Sequence, residues 1–143
     1  MTDMGVPNYL VASSVIAVLA QRLVRIICAR CKHPIQLSES VIKDAGIPPK
    51  LAAKATFMKG KGCANCNKKG YRGRQGIFEL MLVNSKIREL IFKNVSAVEI
   101  RKQAMTQGMK TLYVDGMYKV MKGVTSLEEV YRNAKRTEQD VLE

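Results

Sequence analysis

Acidic residues are scarce in this 143-residue chain: 12 aspartates and glutamates stand against 24 lysines and arginines, a formal net charge of +12. That excess favours attraction to something acidic, whether nucleic acid, an anionic membrane surface or an acidic protein. Prolines number only four, and there is no internal repeat or low-complexity tract, which excludes collagen-like and disordered classes. Long hydrophobic runs are missing as well. The longest uncharged stretch, Met4–Gln21, contains Pro7, Asn8, Ser13 and Ser14 and is marginal for a bilayer span. Asp3 rather than a basic cluster precedes it, and no small-residue cleavage site follows, so no secretory signal is expected.

What is present is a 47% hydrophobic composition, enough for one ordinary core or two small modules sharing an interface. The four cysteines form a pattern of C-x2-C, 31 intervening residues, then C-x2-C. Two such knuckles, Cys28 with Cys31 and Cys63 with Cys66, suit the tetrahedral preference of Zn²⁺ for thiolates. Glycines at 62 and 70 frame the second knuckle, where the chain must turn so that main-chain amides point at sulfur. A site closed by four thiolates leaves no position for water, so the expected role of the zinc is structural. Iron in a rubredoxin-like site uses the same ligands, and a disulfide pair is a further alternative. Paired cysteines of this spacing suit a reducing, cytoplasmic compartment. His33 follows Cys31 closely but is read as a surface histidine, because four sulfurs already complete the shell.

Along the chain, apolar residues between Asn8 and Ile27 fall near helical spacing and predict a helix that is apolar on most sides. A short helix is expected at Glu39–Ala45, capped by Ser38 and closed by Gly46. Thr56–Met58 reads as a short strand and Ile77–Val83 as another, turning at Asn84. Four helices should follow: one capped by Asn84, one opened by the capping box of Ser96 and Glu99, one starting at Thr111, and one opened by Thr125 with Glu128. Their amphipathic faces predict a small bundle, with Tyr113, Tyr118, Tyr131 and Met105, Met109, Met117 and Met121 mainly in its core.

One further set of residues carries a resemblance. Met4-Gly5-Val6, Val11-Ala12-Ser13-Ser14, Ala20-Gln21-Arg22-Leu23-Val24-Arg25, the two knuckles, Gly70-Tyr71-Arg72-Gly73-Arg74, Gly76-Ile77-Phe78-Glu79-Leu80, Gly108-Met109 and Asp115-Gly116 occur in order. Together they resemble the C-terminal part of the type II secretion and type IV pilus assembly ATPases, over nearly the whole chain to about Asn133. The resemblance implies an α+β, mostly helical fold. Residues 1–27 would be the last helix of a RecA-like ATPase core whose beginning lies outside this sequence, and 28–76 a tetracysteine zinc subdomain. Residues 77–134 would be a strand plus a helical bundle, and 135–143 a frayed tail, of which Val141 and Leu142 could dock.

It further implies a homohexameric motor of the bacterial cytoplasm, using ATP and Mg²⁺, with neighbouring subunits and an inner-membrane platform protein as partners. Arg22 and Arg25 could then face a neighbouring subunit or nucleotide, or simply form a solvated helix end. The chain's departures from the full pattern are decisive for activity. No G-x-x-x-x-G-K-[ST] occurs, so the nest of amides that holds phosphates is missing and the chain alone is not expected to hydrolyse ATP. Pilus assembly and type II secretion are not separated by these residues. The alternative function is a zinc-ribbon nucleic-acid binder, motivated by Lys59, Lys61, Lys68, Lys69, Arg72 and Arg74 with Tyr71 among them.

Overall fold

A computed structural model describes residues 5–137 and 140–142. The described residues gather into two compact units, one of residues up to Ala20 with Glu79–Lys110, the other of Gln21–Phe78 with the chain from Thr111 onward. Two long strands, β1 (Ala17–Ile27) and β4 (Tyr71–Leu82), pair with each other and contribute to both.

The expected helix over Asn8–Ile27 is corrected. Only Asn8–Ser14 is helical (α1), and Val15 is extended at φ −79°, ψ 124°, before β1 begins. An almost continuous apolar run satisfies a period of two as readily as one of 3.6, and here pairing with the 12-residue β4 decides the outcome. In the first unit α1 packs on α4 (Ser85–Phe92), and α4 on α5 (Ala97–Thr106). Val83, Ile87 and Ala104 form the centre, with Val15, Met81, Ile100 and Met109 against them. The caps match expectation: Asn84 Oδ1 accepts from the Ile87 N–H, and Ser96 and Glu99 form a capping box.

The second unit holds the cysteines. β2 (Lys32–Pro34) and β3 (Met58–Gly60) form an antiparallel ribbon with Lys32 opposite Gly60 and His33 opposite Lys59. Between them lie α2 (Glu39–Asp44), capped by Ser38, and the single turn α3 (Pro49–Ala52). The core is built from Val24, Ile77, Tyr113, Val114, Met117, Val120 and Val130, largely from α6 (Leu112–Met121) and α7 (Leu127–Asn133). Gly116 lets these two helices approach, since a Cβ there would stand 2.7 Å from Val130 Cγ1. Of the four C-terminal helices, α4 and α5 pack together in the first unit and α6 and α7 in the second. Met117 is fully buried in this core, so Met117→Ala is expected to cost about 2–5 kcal/mol, read as a lowered urea midpoint with an unchanged slope.

Two local expectations also shift. Ser126, not Thr125, caps α7, accepting from the Glu129 N–H, while the buried Thr125 hydroxyl donates to the Arg25 carbonyl at 2.8 Å. The described part of the tail is docked rather than frayed. Leu142 is 3% exposed within the core, and the buried Asp140 carboxylate accepts from the Thr137 N–H and from the Thr111 hydroxyl, whereas Val141 faces solvent. Glu138, Gln139 and Glu143 of that expected tail lie outside the described residues. Among the described residues, no helix is long and apolar enough to cross a membrane.

Candidate metal centre

Each knuckle is a turn closed by its own main chain. β1 ends at Ile27, and the Cys28 carbonyl then accepts from the N–H groups of Cys31 and Lys32 at 3.1 and 2.9 Å. In the second knuckle a 3₁₀ turn, Ala64–Cys66, is followed by Asn67 and Lys68 in the left-handed region at φ 48° and 59°. That reversal lets the Lys68 N–H return to the Cys63 carbonyl at 2.9 Å. Main-chain bonds join the two knuckles, from the Cys28 N–H to the Gly70 carbonyl at 2.9 Å and from the Lys61 N–H to the Cys31 carbonyl at 3.1 Å.

Glycine is required where these arms cross. A Cβ on Gly60 would collide with the Gly70 carbonyl, and Gly70 itself has φ +76°. Gly60→Ala is expected to push the arms apart and lower the melting temperature of the metal-loaded protein by the equivalent of about 1–3 kcal/mol, measurable by calorimetry.

The result is a cluster in which all four sulfurs lie within 4.8 Å of one another, with no disulfide. Cys28 and Cys63 sulfurs are 3.9 Å apart, Cys31 and Cys66 3.8 Å, and Cys63 and Cys66 3.7 Å. Four sulfurs placed 2.3 Å from a central zinc have edges of about 3.8 Å, so the spacing fits a tetrathiolate tetrahedron. A disulfide would need about 2.05 Å. The donor set is equally suitable: the Cys66 sulfur accepts from the N–H groups of Cys63 and Gly70, each at 3.2 Å, and the Cys28 sulfur from the Asn65 side chain at 3.4 Å.

The sulfurs are not electrostatically equivalent. The Asn65 hydrogen bond, ahead of main-chain donation, holds Cys28 down to about 6, whereas burial pushes Cys31 up to about 12. Main-chain N–H donation from Cys63 also lowers Cys66. Four thiolates this close together need a compensating positive charge, which a divalent cation would supply.

A model of the family described as Type II/IV secretion system protein matches residues 1–132. The chain belongs to this family. It is similar to a type IV pilus assembly ATPase PilB of Myxococcus xanthus, 40% identical over 93% of this chain and 24% of the relative. It also resembles type II secretion system protein E of Pseudomonas aeruginosa, 42% identical over 92% of this chain and 26% of that protein. A type II secretion system ATPase E of Vibrio cholerae is 40% identical over 96% of this chain and 27% of that protein. The chain therefore spans about a quarter of the length of these relatives.

In this chain the four cysteines picked out by their spacing meet, and His33 is not among the clustered ligands. His33 is half-buried on β2, its Nδ1 without a hydrogen-bond partner. Arg22 and Arg25 sit on β1 rather than on a helix. Arg22 donates to the Asn133 carbonyl at 2.6 Å and Arg25 to the Glu129 carboxylate at 2.6 Å, both within the second unit. Asn65 and Glu129 are the residues that sequence reasoning passed over. An asparagine between two cysteine ligands offers a donor, but spacing alone does not say which sulfur it reaches.

Proposed function

We propose that this chain is the zinc-binding and helical C-terminal region of a hexameric ATPase that powers type IV pilus assembly or type II secretion at the cytoplasmic face of the bacterial inner membrane. Cys28, Cys31, Cys63 and Cys66 hold one structural Zn²⁺, which ties the end of β1 to the start of β4. When bound, the zinc supplies a closed, four-coordinate crosslink with no open position for water. Residues 28–76 form the zinc subdomain, following the end of a RecA-like core and preceding the helices. ATP and Mg²⁺ are handled elsewhere in the full motor, because no phosphate-binding loop is present in this sequence. The partners are the remainder of the ATPase, neighbouring subunits and an inner-membrane platform protein.

The observation that carries this reading is the tetrahedral sulfur spacing in a chain of this family. The nucleic-acid alternative is weakened by Tyr71, its one aromatic platform. That ring lies under the Arg25 guanidinium at 4.3 Å and its hydroxyl bonds Ser126 at 2.7 Å, so it is not free to stack on a base.

The test places this chain in the matching segment of the Myxococcus xanthus relative, intact or with Cys63→Ser, and scores piliation. Pili are expected with the intact segment and not with the serine version; equal piliation by both would contradict the reading. The purified chain alone should release no phosphate from ATP above the buffer rate.

A further inference from the structure

We infer that Asn65, held in place by Arg72, is a positioning residue for the metal centre: its side-chain N–H orients and stabilises the sulfur of Cys28. This rests on the reading of the four cysteines as a zinc site. Asn65 belongs to the second knuckle, yet its Nδ2 reaches across to the first, donating to Cys28 Sγ at 3.4 Å. Cys28 is only 1% exposed, so water has little access to that sulfur and its donors must be internal.

The neighbouring sulfurs are served differently. Cys66 takes main-chain N–H groups from Cys63 and Gly70, which almost any sequence with the same turn would supply. Among the described residues, Asn65 is the side chain that donates nitrogen-bound hydrogen to a sulfur of the cluster, and it does so across the two knuckles, to a cysteine 37 residues away in sequence.

An amide can present either end, and Arg72 fixes which one. Its Nη1 donates to the Asn65 carbonyl at 3.2 Å and to the side-chain Oδ1, leaving Nδ2 as the end that faces sulfur. A charged donor on the oxygen polarises the amide and strengthens the hydrogen bond that its N–H makes to sulfur. Positive charge thus reaches the thiolates through a defined route. Lys59, by contrast, lies beside Glu128 at 3.7 Å, with both side chains exposed.

Asn65→Asp separates this role from packing, because it preserves shape and the Arg72 contact while replacing the N–H with an oxygen against an anionic sulfur. Zinc affinity is measured by competition with a chromogenic chelator, alongside the sulfur-to-metal charge-transfer bands of the Co²⁺-substituted protein. Outer ligand-supporting residues of this kind change metal affinity by about 10–100-fold, so Asn65→Asp should weaken zinc binding by that factor and shift the Co²⁺ bands. Arg72→Met, at an exposed position, should weaken it several-fold in the same direction.

Wild-type affinity and an unshifted Co²⁺ spectrum in Asn65→Asp would overturn the inference. Should that variant not fold, Arg72→Met decides: a weakened site supports the role and an unchanged one refutes it. Failure of the wild-type chain to bind zinc at all would instead remove the metal-site reading beneath it.

Discussion

Stripping the metal with a strong chelator is expected to unfold the cysteine-bearing unit, with loss of cooperative melting that returns on adding back Zn²⁺. Structural zinc contributes apparent binding free energies of about 10–16 kcal/mol in finger peptides, whereas a whole domain is stable by only about 5–15 kcal/mol. The first figure is large enough to decide the second. Local sequence explains why other forces do not compensate. Between Cys28 and Gly70 the chain has two three-residue strands and short helices; α2 and α3 contain no buried residue, and the apolar residues this segment buries besides cysteine are Ala45, Ile47 and Phe57. Main-chain bonds such as Cys28 N–H to Gly70 join the knuckles, but each contributes about 0.5–1.5 kcal/mol net. A thermal scan with and without chelator makes the comparison, and an unchanged cooperative transition in the stripped protein would show that these bonds suffice.

Arg25→Met is expected to destabilise the protein by up to about 3–5 kcal/mol, more than Glu129→Gln, because the two sides of this pair are unequally buried. The Glu129 side chain is 5% exposed and that of Arg25 40%. Removing the arginine leaves a buried carboxylate held by the main-chain N–H of residue 25 at 3.0 Å, with its other close cation, Arg132, at 4.0 Å and 70% exposed. Removing the carboxylate leaves a guanidinium that water reaches. Arg25 also covers the Tyr71 ring, so its loss loosens the contact between β1 and β4 as well.

The pH dependence has a definite sign. The Arg25 hydrogen bond, opposed by burial, holds Glu129 below the usual glutamate range. A depressed folded-state value gives stability that is present above the unfolded glutamate pKa of about 4.3 and lost as pH falls through the folded one. In Arg25→Met burial is opposed only by the main-chain N–H of residue 25 and the more distant Arg132, so the carboxylate takes up its proton at higher pH than in wild type and the gap between the two should narrow on acidification. Urea midpoints at neutral and acid pH measure this. A gap independent of pH would assign the loss to packing alone.

The cysteine site was legible in the sequence because ligand spacing is a local property of two turns, and the knuckles supply it whatever the rest of the fold does. Caps at Ser38, Asn84, Ser96 and Thr111 were legible for the same reason: each is a side chain meeting a main-chain N–H three residues on. The segment up to Ile27 was not, since its run of aliphatic residues fits helix and strand alike and only pairing with β4 separates them. Tail docking was hidden by composition. Polar residues suggest solvent, but Asp140 is buried because Thr111, distant in sequence, meets its carboxylate. Asn65 was illegible for a further reason: its partners, Cys28 and Arg72, are set by how the two knuckles face each other.

The most direct measurement is the metal content of the purified chain by elemental analysis, wild type beside Cys28→Ser, with circular dichroism on the same samples. One zinc per wild-type chain is predicted, falling well below one in the serine variant together with its folded signal. A wild-type chain without stoichiometric metal, or a serine variant that keeps both zinc and fold, would contradict the account.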